Sequence, residues 1–151
     1  MDNLKEHEKL SIIIRCKNEE RWIGHTIQSI LDLIYKPEII VIDNGSDDNS
    51  MNIVKHFMHD PTLEQDINSN FTKIKILQMD NYTPGKALNL GIQNSSFERI
   101  MIISAHCVLK KINLPKHYDD LNNYPCIFGN QIPIWNGKKI KKKYIWSHFV
   151  K

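Results

Sequence analysis

Aliphatic runs alternate with amphipathic segments along most of this chain, and the alternation predicts its secondary structure. Residues 10–14, 38–42 and 99–103 are dominated by aliphatic side chains, a pattern typical of strands buried on both faces of a parallel sheet. Residues 73–78 alternate apolar and polar side chains, which predicts a more exposed strand. Each aliphatic run leads directly into a polar segment, where the strand is predicted to end.

Helices are predicted between the first strands. Apolar side chains recur at helical spacing over residues 19–34, where Asn18 can cap the start and Pro37 prevents continuation. Residues 53–58 carry the apolar positions of a second amphipathic helix. Two strand-helix units in succession imply a parallel sheet with right-handed crossovers.

The rest of the chain continues this organisation. Residues 60–70 show no periodicity and predict a loop, whereas residues 86–92 predict a helix behind a Pro-Gly turn. A short helix over residues 115–121 and a strand over residues 125–128 follow. Because no repeat and no linker is visible, we expect a single α/β domain over residues 1–151, with a mostly parallel sheet flanked by helices.

The polar segments after the predicted strands carry the candidate chemistry. In an open parallel sheet, ligands bind at the carboxyl ends of the strands, so these segments should converge on one crevice. They contain Cys16, Asn18, Glu19, Asp43, Asn44, Ser46, Asp47, Ser104 and His106, and the loop before the third helix adds Lys86. Carboxylates and amides suit sugar or base hydroxyls, and the cations suit phosphate.

Each of these features also has an ordinary structural interpretation. Residues 43–49 are rich in the usual turn residues, and Glu19 can simply complement a helix dipole. Lys86 can be a solvated surface lysine, and His106 can be a hydrogen-bonded structural histidine. The shared position at one end of the predicted sheet is what favours a binding site.

Several nucleotide-binding and catalytic motifs are absent from the sequence. A dinucleotide-binding turn requires G-x-G-x-x-G after the first strand, but residues 15–19 contain no glycine. The sequence also has no P-loop and no G-x-S-x-G nucleophile elbow. Phosphate must therefore be held by side chains or a metal rather than by a glycine-rich loop.

Charge and composition exclude further classes. The net charge is +3, and five lysines between positions 138 and 143 leave −2 for the remainder, so the body is not a basic nucleic-acid binder. No apolar run approaches the length of a spanning helix, and the first nine residues are polar, which predicts a cytoplasmic protein. Three cysteines, Cys16, Cys107 and Cys126, without C-x-x-C spacing indicate reduced thiols.

Three linked segments, residues 11–20, 38–48 and 85–92, resemble family 2 glycosyltransferases of the GT-A fold in order and spacing. The resemblance implies a Rossmann-like GT-A nucleotide-sugar-binding half, and transfer of a sugar with inversion from a nucleotide-diphosphate donor to a glycan or lipid-linked acceptor. It places Cys16 and Glu19 near the base or ribose and Asp43 at the base. It also places Lys86 and Asn89 close to the nucleotide.

The fourth strand departs from the family pattern. Where the family commonly has a D-x-D motif that binds ribose and a divalent metal, this chain has Ser104, Ala105 and His106. His106 can be a substitute ligand for Mn²⁺ or Mg²⁺, or it can contact the diphosphate directly and make a metal unnecessary. Residues 129–133 resemble a segment of a rhamnosyltransferase-like subgroup, which implies that Gln131 lies near the donor sugar. The predicted nucleotide-sugar-binding set is Cys16, Asn18, Glu19, Asp43, Ser46, Lys86, Asn89, Ser104, Ala105, His106 and Gln131.

The chain is short for this family, whose members continue into an acceptor-binding region that supplies a catalytic base. We therefore name no base, and a nucleotide-sugar-binding module without catalysis is the alternative function. A nucleotidyltransferase should show a Gly-rich activating loop near the N-terminus, and the sequence has none. The lysines at 138–143 can hold the protein peripherally at the inner membrane face or form a solvated tail. Trp146 and Phe149 suggest self-association into a homo-oligomer.

Overall fold

The computed structural model describes residues 9–58, 73–135 and 137–140, and the chain divides into two compact units, Met1–Pro115 and Lys116–Lys151. Strands and helices alternate through the first unit: β1 (Ser11–Cys16), α1 (Ile23–Leu31), β2 (Glu38–Asp43), α2 (Ser50–Met58), β3 (Lys73–Gln78), α3 (Pro84–Gln93) and β4 (Ile100–Ser104). Helix α4 (Leu114–Leu121) crosses the boundary between the units. In the second unit, β5 (Ile134–Trp135) pairs antiparallel with β6 (Lys138–Lys139).

The first unit is built on a four-stranded parallel sheet in the order β3-β2-β1-β4. The register places Ser11 of β1 opposite both Glu38 of β2 and Ile100 of β4. β1 and β2 are the inner strands, and their aliphatic residues are buried because helices cover both faces. The predicted α/β architecture is thereby confirmed.

Helices α1 and α2 cover one face of the sheet. Ile27 and Ile30 of α1 and Val54 of α2 are fully buried against the β1 and β2 side chains that point to this face, among them Ile12 and Ile39. Burying one such aliphatic side chain contributes about 1.5–3 kcal/mol. This face therefore holds the larger core.

Helix α3 covers the other face. Thr83 caps its start by accepting a hydrogen bond from the Lys86 N–H, and Pro84 occupies the first helical turn. The buried residue Ala87 packs with Ile13, Ile40 and a third inner-strand isoleucine, Ile42. Pro84 and Gly85 thus belong to the helix itself, which begins two residues before the predicted start at residue 86.

A buried carboxylate joins the amino ends of the strands. The Glu38 side chain is 1% exposed and accepts hydrogen bonds from Ser11 Oγ at 2.6 Å and Lys75 Nζ at 2.7 Å. Ser96 donates to it through both its backbone N–H and its hydroxyl, each at 2.7 Å. Burial opposes ionisation, but these donors outweigh it and lower the pKa of Glu38 from 4.5 to about 2.

Three expectations about the first unit are corrected. β4 is half-buried and Ile102 is 52% exposed, because β4 is an edge strand of the four-stranded sheet and not an inner one. Asn18 does not cap α1: the helix begins at Ile23 after a turn in which the Glu19 carbonyl accepts from the Trp22 and Ile23 N–H groups. The helix ends at Leu31, three residues earlier than predicted.

The strand predicted over residues 125–128 is wrong. These residues pair with no other described segment, and Phe128 is 96% and Ile127 37% exposed, so their apolar side chains lack the covering layer that a buried strand requires. The β-structure of the second unit lies further along, in the β5-β6 hairpin.

Some expectations lie outside the described residues. These are the loop at residues 60–70, the lysines at 141–143, and Trp146 and Phe149. Lys138 and Lys139 are described and are exposed. In the described parts, no helix has the length and apolar character needed to cross a membrane.

Candidate functional site

The strand order places a topological switch point beside β1. β2 and β3 lie on one side of β1 and β4 lies on the other, so the order in which strands are added reverses between β1 and β4. In sheets of this kind, the crevice outside the carboxyl ends at the switch point is where ligands bind. The polar segments predicted from the sequence follow these strands.

Side-chain hydrogen bonds fasten the loop after β1 to the loop after β2. Asn18 Nδ2 donates to Asp47 Oδ1 at 2.6 Å, and Asn18 Oδ1 accepts from the Asp47 N–H at 3.0 Å. The Asn18 N–H also donates to Ser46 Oγ at 3.0 Å. Asn18 has a φ of 52°, a left-handed conformation that asparagine tolerates better than most residues.

Asp43 fixes the start of the loop after β2 by hydrogen bonds to Ser46. It is buried, and its Oδ1 accepts from Ser46 Oγ at 2.6 Å and from the Ser46 N–H at 3.1 Å. Because Ser46 in turn accepts from Asn18, the carboxylate, the hydroxyl and the β1 loop form one chain of hydrogen bonds. Asp43, Ser46 and Asn18 are thus brought together, as the topology predicted.

Cys16 closes β1 beneath this loop. Its backbone carbonyl accepts from the Asn44 N–H at 3.0 Å, and its side chain is buried. Burial is the main cause that raises the pKa of the Cys16 thiol to about 11, and the nearby Asp43 carboxylate adds to it. Cys16 therefore stays a neutral thiol at physiological pH.

The start of α2 is joined to the turn before α1. Ser50 Oγ accepts from the Glu19 N–H at 2.7 Å, and Asp48 Oδ2 accepts from the Glu20 N–H at 3.0 Å. Glu20 Oε2 accepts from the Asn49 N–H at 3.0 Å. Burial disfavours the Asp48 carboxylate, but hydrogen bonds from Ser50 and the Glu20 N–H outweigh it and lower the pKa of Asp48.

The end of β4 meets both α1 and the β1 loop. Thr26 Oγ1 of α1 donates to the carbonyl of buried Ala105 at 2.7 Å, which fixes the turn after Ser104. The next residue, His106, places Nδ1 2.9 Å from Glu19 Oε1. The Glu19–His106 pair therefore bridges the loops on the two sides of the switch point.

Lys86 and Asn89 lie on α3, in its first and second turns. Both are exposed, and among the described residues neither side chain has a hydrogen-bond or ion-pair partner. α3 begins just beyond the carboxyl end of β3, so Lys86 belongs to the same edge of the sheet as the loops. No contact joins either residue to the rest of the set. Gln131 is exposed and belongs to the second unit.

Sequence reasoning missed two residues that organise this edge. Thr26 and Ser50 are fully buried. The Thr26 hydroxyl donates to the Ala105 carbonyl after β4, and the Ser50 hydroxyl accepts from the Glu19 N–H after β1. A polar residue between Ile23 and Ile27 on the apolar side of a predicted helix was the available signal for Thr26. Ser50 gave no comparable signal, because serine is common at helix starts.

The residues at the end of β4 provide no carboxylate ligand for a metal ion. Ser104, Ala105 and His106 offer one imidazole, and one of its nitrogens is engaged with Glu19. Within residues 9–58, 73–135 and 137–140, no three His, Cys, Asp or Glu side chains are grouped so that they could hold a metal ion. A divalent ion at a nucleotide site usually takes one or two carboxylate ligands from the protein and the rest from phosphate and water, and β4 supplies no carboxylate.

Comparison with known proteins identifies the family. The profile of Glycosyl transferase family 2 matches residues 11–149. The chain belongs to glycosyl transferase family 2. It is 31% identical over 103 residues to a poly-beta-1,6-N-acetyl-D-glucosamine synthase of Staphylococcus epidermidis. The aligned region covers 68% of this chain and 23% of that protein. The same enzyme of Staphylococcus aureus strain COL is 29% identical over 108 residues, covering 71% and 24%.

Solved glycosyltransferase structures share the fold. S. aureus TarS 1-349, crystallised with UDP-GlcNAc, superimposes with a TM-score of 0.61 at 18% identity and covers 83% of this chain and 37% of that one. The mannosyltransferase PcManGT of Pyrobaculum calidifontis, solved with GDP-Man and Mn²⁺, gives a TM-score of 0.56 at 19% identity, covering 68% and 28%. These matches confirm the GT-A fold. The family 2 chain spans about a quarter of the length of the curated relatives named above.

Proposed function

We propose that this family 2 chain binds a nucleotide-diphosphate sugar at the carboxyl edge of β1, β2 and β4. We propose further that it transfers the sugar, with inversion, to a glycan or lipid-linked acceptor. The observation that carries the proposal is the bridge at the switch point: Asn18 binds Asp47 on one side of β1, and Glu19 meets His106 on the other. These contacts gather three polar loops around the crevice where such a fold binds its ligands.

The names of the similar proteins support a UDP-sugar as the donor. The staphylococcal relatives are named as synthases of a polymer of N-acetylglucosamine, and the TarS structure was solved with UDP-GlcNAc and, separately, with UDP. UDP-GlcNAc is therefore the first donor to test. The rhamnosyltransferase-like subgroup stays a prediction, so dTDP-rhamnose belongs in the same panel.

The side chains of His106 and Lys86 are proposed to bind the negatively charged diphosphate of the donor. The His106 side chain is 59% exposed, and its ring can donate to a diphosphate oxygen. Lys86 supplies a cation at this edge, with Asn89 one turn further along α3. Preorganised donors aimed at the departing diphosphate would stabilise the charge that develops as the glycosidic bond to the donor breaks.

The proposal makes donor binding independent of a resident divalent ion. It rests on the end of β4, where Ser104, Ala105 and His106 supply no carboxylate for a divalent ion and one imidazole that can donate to the diphosphate. PcManGT was solved with Mn²⁺, so the test compares both conditions directly.

Residues 1–151 are proposed to act as one donor-binding domain, because the family match at 11–149 extends through both compact units. A second candidate function is nucleotide-sugar binding without transfer. Contact with an anionic membrane surface through exposed Lys138 and Lys139, homo-oligomer formation and a cytoplasmic location stay predictions.

The test is thermal stability of the 151-residue chain with UDP-GlcNAc, UDP-glucose, GDP-mannose or dTDP-rhamnose, each in EDTA and in Mn²⁺. A ligand at 100 times its Kd stabilises by about 2.7 kcal/mol, which raises Tm by roughly 5–10 °C for a chain of this size. We expect the UDP-sugars to raise Tm in EDTA, and His106→Ala to reduce the rise.

Two results would count against the proposal. If none of the four nucleotides changes the Tm of a cooperatively folding sample, the chain does not bind a donor. If stabilisation requires Mn²⁺, the proposal that the donor binds without a divalent ion is wrong. Release of UDP from UDP-GlcNAc, measured with and without added acceptor glycan, then separates transfer from binding alone.

A further inference from the structure

The Glu19–His106 pair joins two loops that the chain itself separates by 87 positions. Glu19 Oε1 lies 2.9 Å from His106 Nδ1, so a proton on Nδ1 is shared with the carboxylate. Within the described residues, Nε2 of His106 has no hydrogen-bond partner. The ring therefore has Nδ1 committed to Glu19 and Nε2 available to a ligand, and Nε2 can donate to an anion when both ring nitrogens carry a proton.

The carboxylate is itself held in place. The Glu19 N–H donates to the buried hydroxyl of Ser50, and the Glu19 carbonyl accepts from the Trp22 and Ile23 N–H groups. The backbone of Glu19 is thus fixed by three hydrogen bonds that do not involve its side chain. The side chain is 24% exposed, against 59% for His106, so the carboxylate is the more buried partner.

The other side of the pair is fixed as well. Ala105 is buried and its carbonyl accepts from Thr26 Oγ1 at 2.7 Å, while the Cys107 N–H donates to the Ser104 carbonyl at 2.9 Å. The backbone on both sides of His106 is therefore set by α1 and by the turn. What these bonds leave free is the rotation of the imidazole, and Glu19 restricts it.

We propose that Glu19 is a positioning residue: it holds His106 through Nδ1 so that Nε2 faces the donor diphosphate. The inference rests on the proposed function, in which His106 contacts that group. At metal sites, a carboxylate that orients an imidazole through its second nitrogen is a recurrent arrangement, and its loss typically costs about 10–100-fold in metal affinity or activity. Glu19 then acts through His106, a role that differs from the contact with base or ribose that the family resemblance implies.

Double-mutant analysis tests this in the full chain. We would measure the Kd for UDP and UDP-GlcNAc in EDTA by calorimetry for wild type, Glu19→Ala, His106→Ala and the double variant. We expect Glu19→Ala to weaken binding about 10-fold, and to have less than a two-fold effect when His106 is already alanine. Glu19→Gln should recover most of the affinity, because its amide oxygen can still accept from Nδ1.

The matched control is Glu20→Ala, which removes the same charge one position away. Glu20 binds the Asn49 N–H and does not contact His106, so donor affinity should be unchanged. Nitrogen-15 NMR of the histidine ring provides a readout that needs no ligand. In wild type at pH 8 we expect the proton of His106 on Nδ1, and in Glu19→Ala an exchange between the two tautomers.

The outcomes separate this inference from the proposed function. A wild type that binds no nucleotide overturns both. A wild type that binds, together with a Glu19→Ala variant of equal affinity or with fully additive effects of the two alanines, overturns the positioning role alone. An unchanged His106 tautomer in Glu19→Ala also overturns it.

Discussion

Asn18 and Asp47 exchange two hydrogen bonds across the carboxyl edge of the sheet. Asn18 Nδ2 donates to Asp47 Oδ1 at 2.6 Å, and Asn18 Oδ1 accepts from the Asp47 N–H at 3.0 Å. Asn18 does this with a φ of 52°, where its short amide can reach a loop 29 residues away. The residue that the sequence suggested as a helix cap instead joins the loops after β1 and β2.

Asn18→Ala is expected to destabilise the fold by about 2 kcal/mol. Two exposed hydrogen bonds are lost, each worth about 0.5–1.5 kcal/mol, and alanine in a left-handed conformation costs roughly another 1 kcal/mol. Urea unfolding followed by circular dichroism measures the difference in the free energy of unfolding.

Asn18→Gly separates the two causes. Glycine loses the same side-chain hydrogen bonds but adopts a φ of 52° without strain, so it should be about 1 kcal/mol more stable than the alanine variant. Equal stabilities of the two variants would show that the left-handed backbone of Asn18 does not contribute.

The buried Glu38 makes the free energy of unfolding depend on pH in the acid range. Its folded pKa of about 2 lies below its unfolded value of 4.5, so its contribution is present above pH 4.5 and is lost as pH falls towards 2. The difference corresponds to about 3 kcal/mol, since one pKa unit is worth about 1.36 kcal/mol. We expect the free energy of unfolding to decrease by this order between pH 5 and pH 2.

Glu38→Gln tests the assignment at both ends of that range. At pH 7 the variant should be about 3 kcal/mol less stable, because Lys75 and Ser96 keep their donors but lose the charged acceptor. Between pH 5 and pH 2 it should lose less stability than wild type. Glu98→Gln, which changes an exposed carboxylate, is the control, and an equal effect from it would contradict the role of Glu38.

The inner strands could be predicted from the sequence because their burial on two faces dictates composition. β1 and β2 need aliphatic residues at nearly every position, and the runs ending at Cys16 and Asp43 show this directly. β4 has a similar run, yet it is an edge strand. Edge or centre is decided by which other strand pairs alongside, and the composition of one segment does not contain that information.

The candidate site was predictable as a place but not as a set of contacts. Parallel topology puts Glu19, Asp43 and His106 at one edge of the sheet, independently of the contacts that their side chains make. The Glu19–His106 bridge and the bond from Thr26 to Ala105 join residues 87 and 79 positions apart, and local patterns cannot reveal such pairs. Lys86 came from a loop position, and Asn89 came only from the family resemblance.

Gly91 is required by the packing of α3 on β1. A Cβ at this position would lie 2.7 Å from Ile13 Cγ2 and 2.9 Å from Ile13 Cδ1, and Ile13 is fully buried. Gly91→Ala gains up to about 1 kcal/mol of helix propensity, but overpacking costs typically 1–3 kcal/mol. We expect a net loss of about 1 kcal/mol or more in the free energy of unfolding.

Gly85→Ala is the matched control in the same helix. A Cβ there meets nothing within 4 Å, so the substitution should be neutral or stabilise by up to about 1 kcal/mol. If Gly91→Ala is also neutral, α3 does not pack as closely on Ile13 as the structure places it.

Cys16 is expected to resist thiol reagents although it lies beneath the candidate site. Burial raises the pKa of its thiol to about 11, so the reactive thiolate is scarce at pH 8. Cys126 is exposed. Timed alkylation with iodoacetamide, followed by mass spectrometry, should modify Cys16 at least about 100-fold more slowly than Cys126.

The same shift fixes the sign of an alkaline effect on stability. The folded pKa of Cys16, about 11, is above its unfolded value of 9.0, so the stabilisation from the neutral thiol is present below pH 9 and is lost as pH rises towards 11. Cys16→Ala should remove that part of the alkaline loss, whereas Cys126→Ala should not. If Cys16 is labelled as fast as Cys126 in the folded chain, the end of β1 is open to solvent. The Cys16 thiol would then not be buried beneath the loop that contains Asn44.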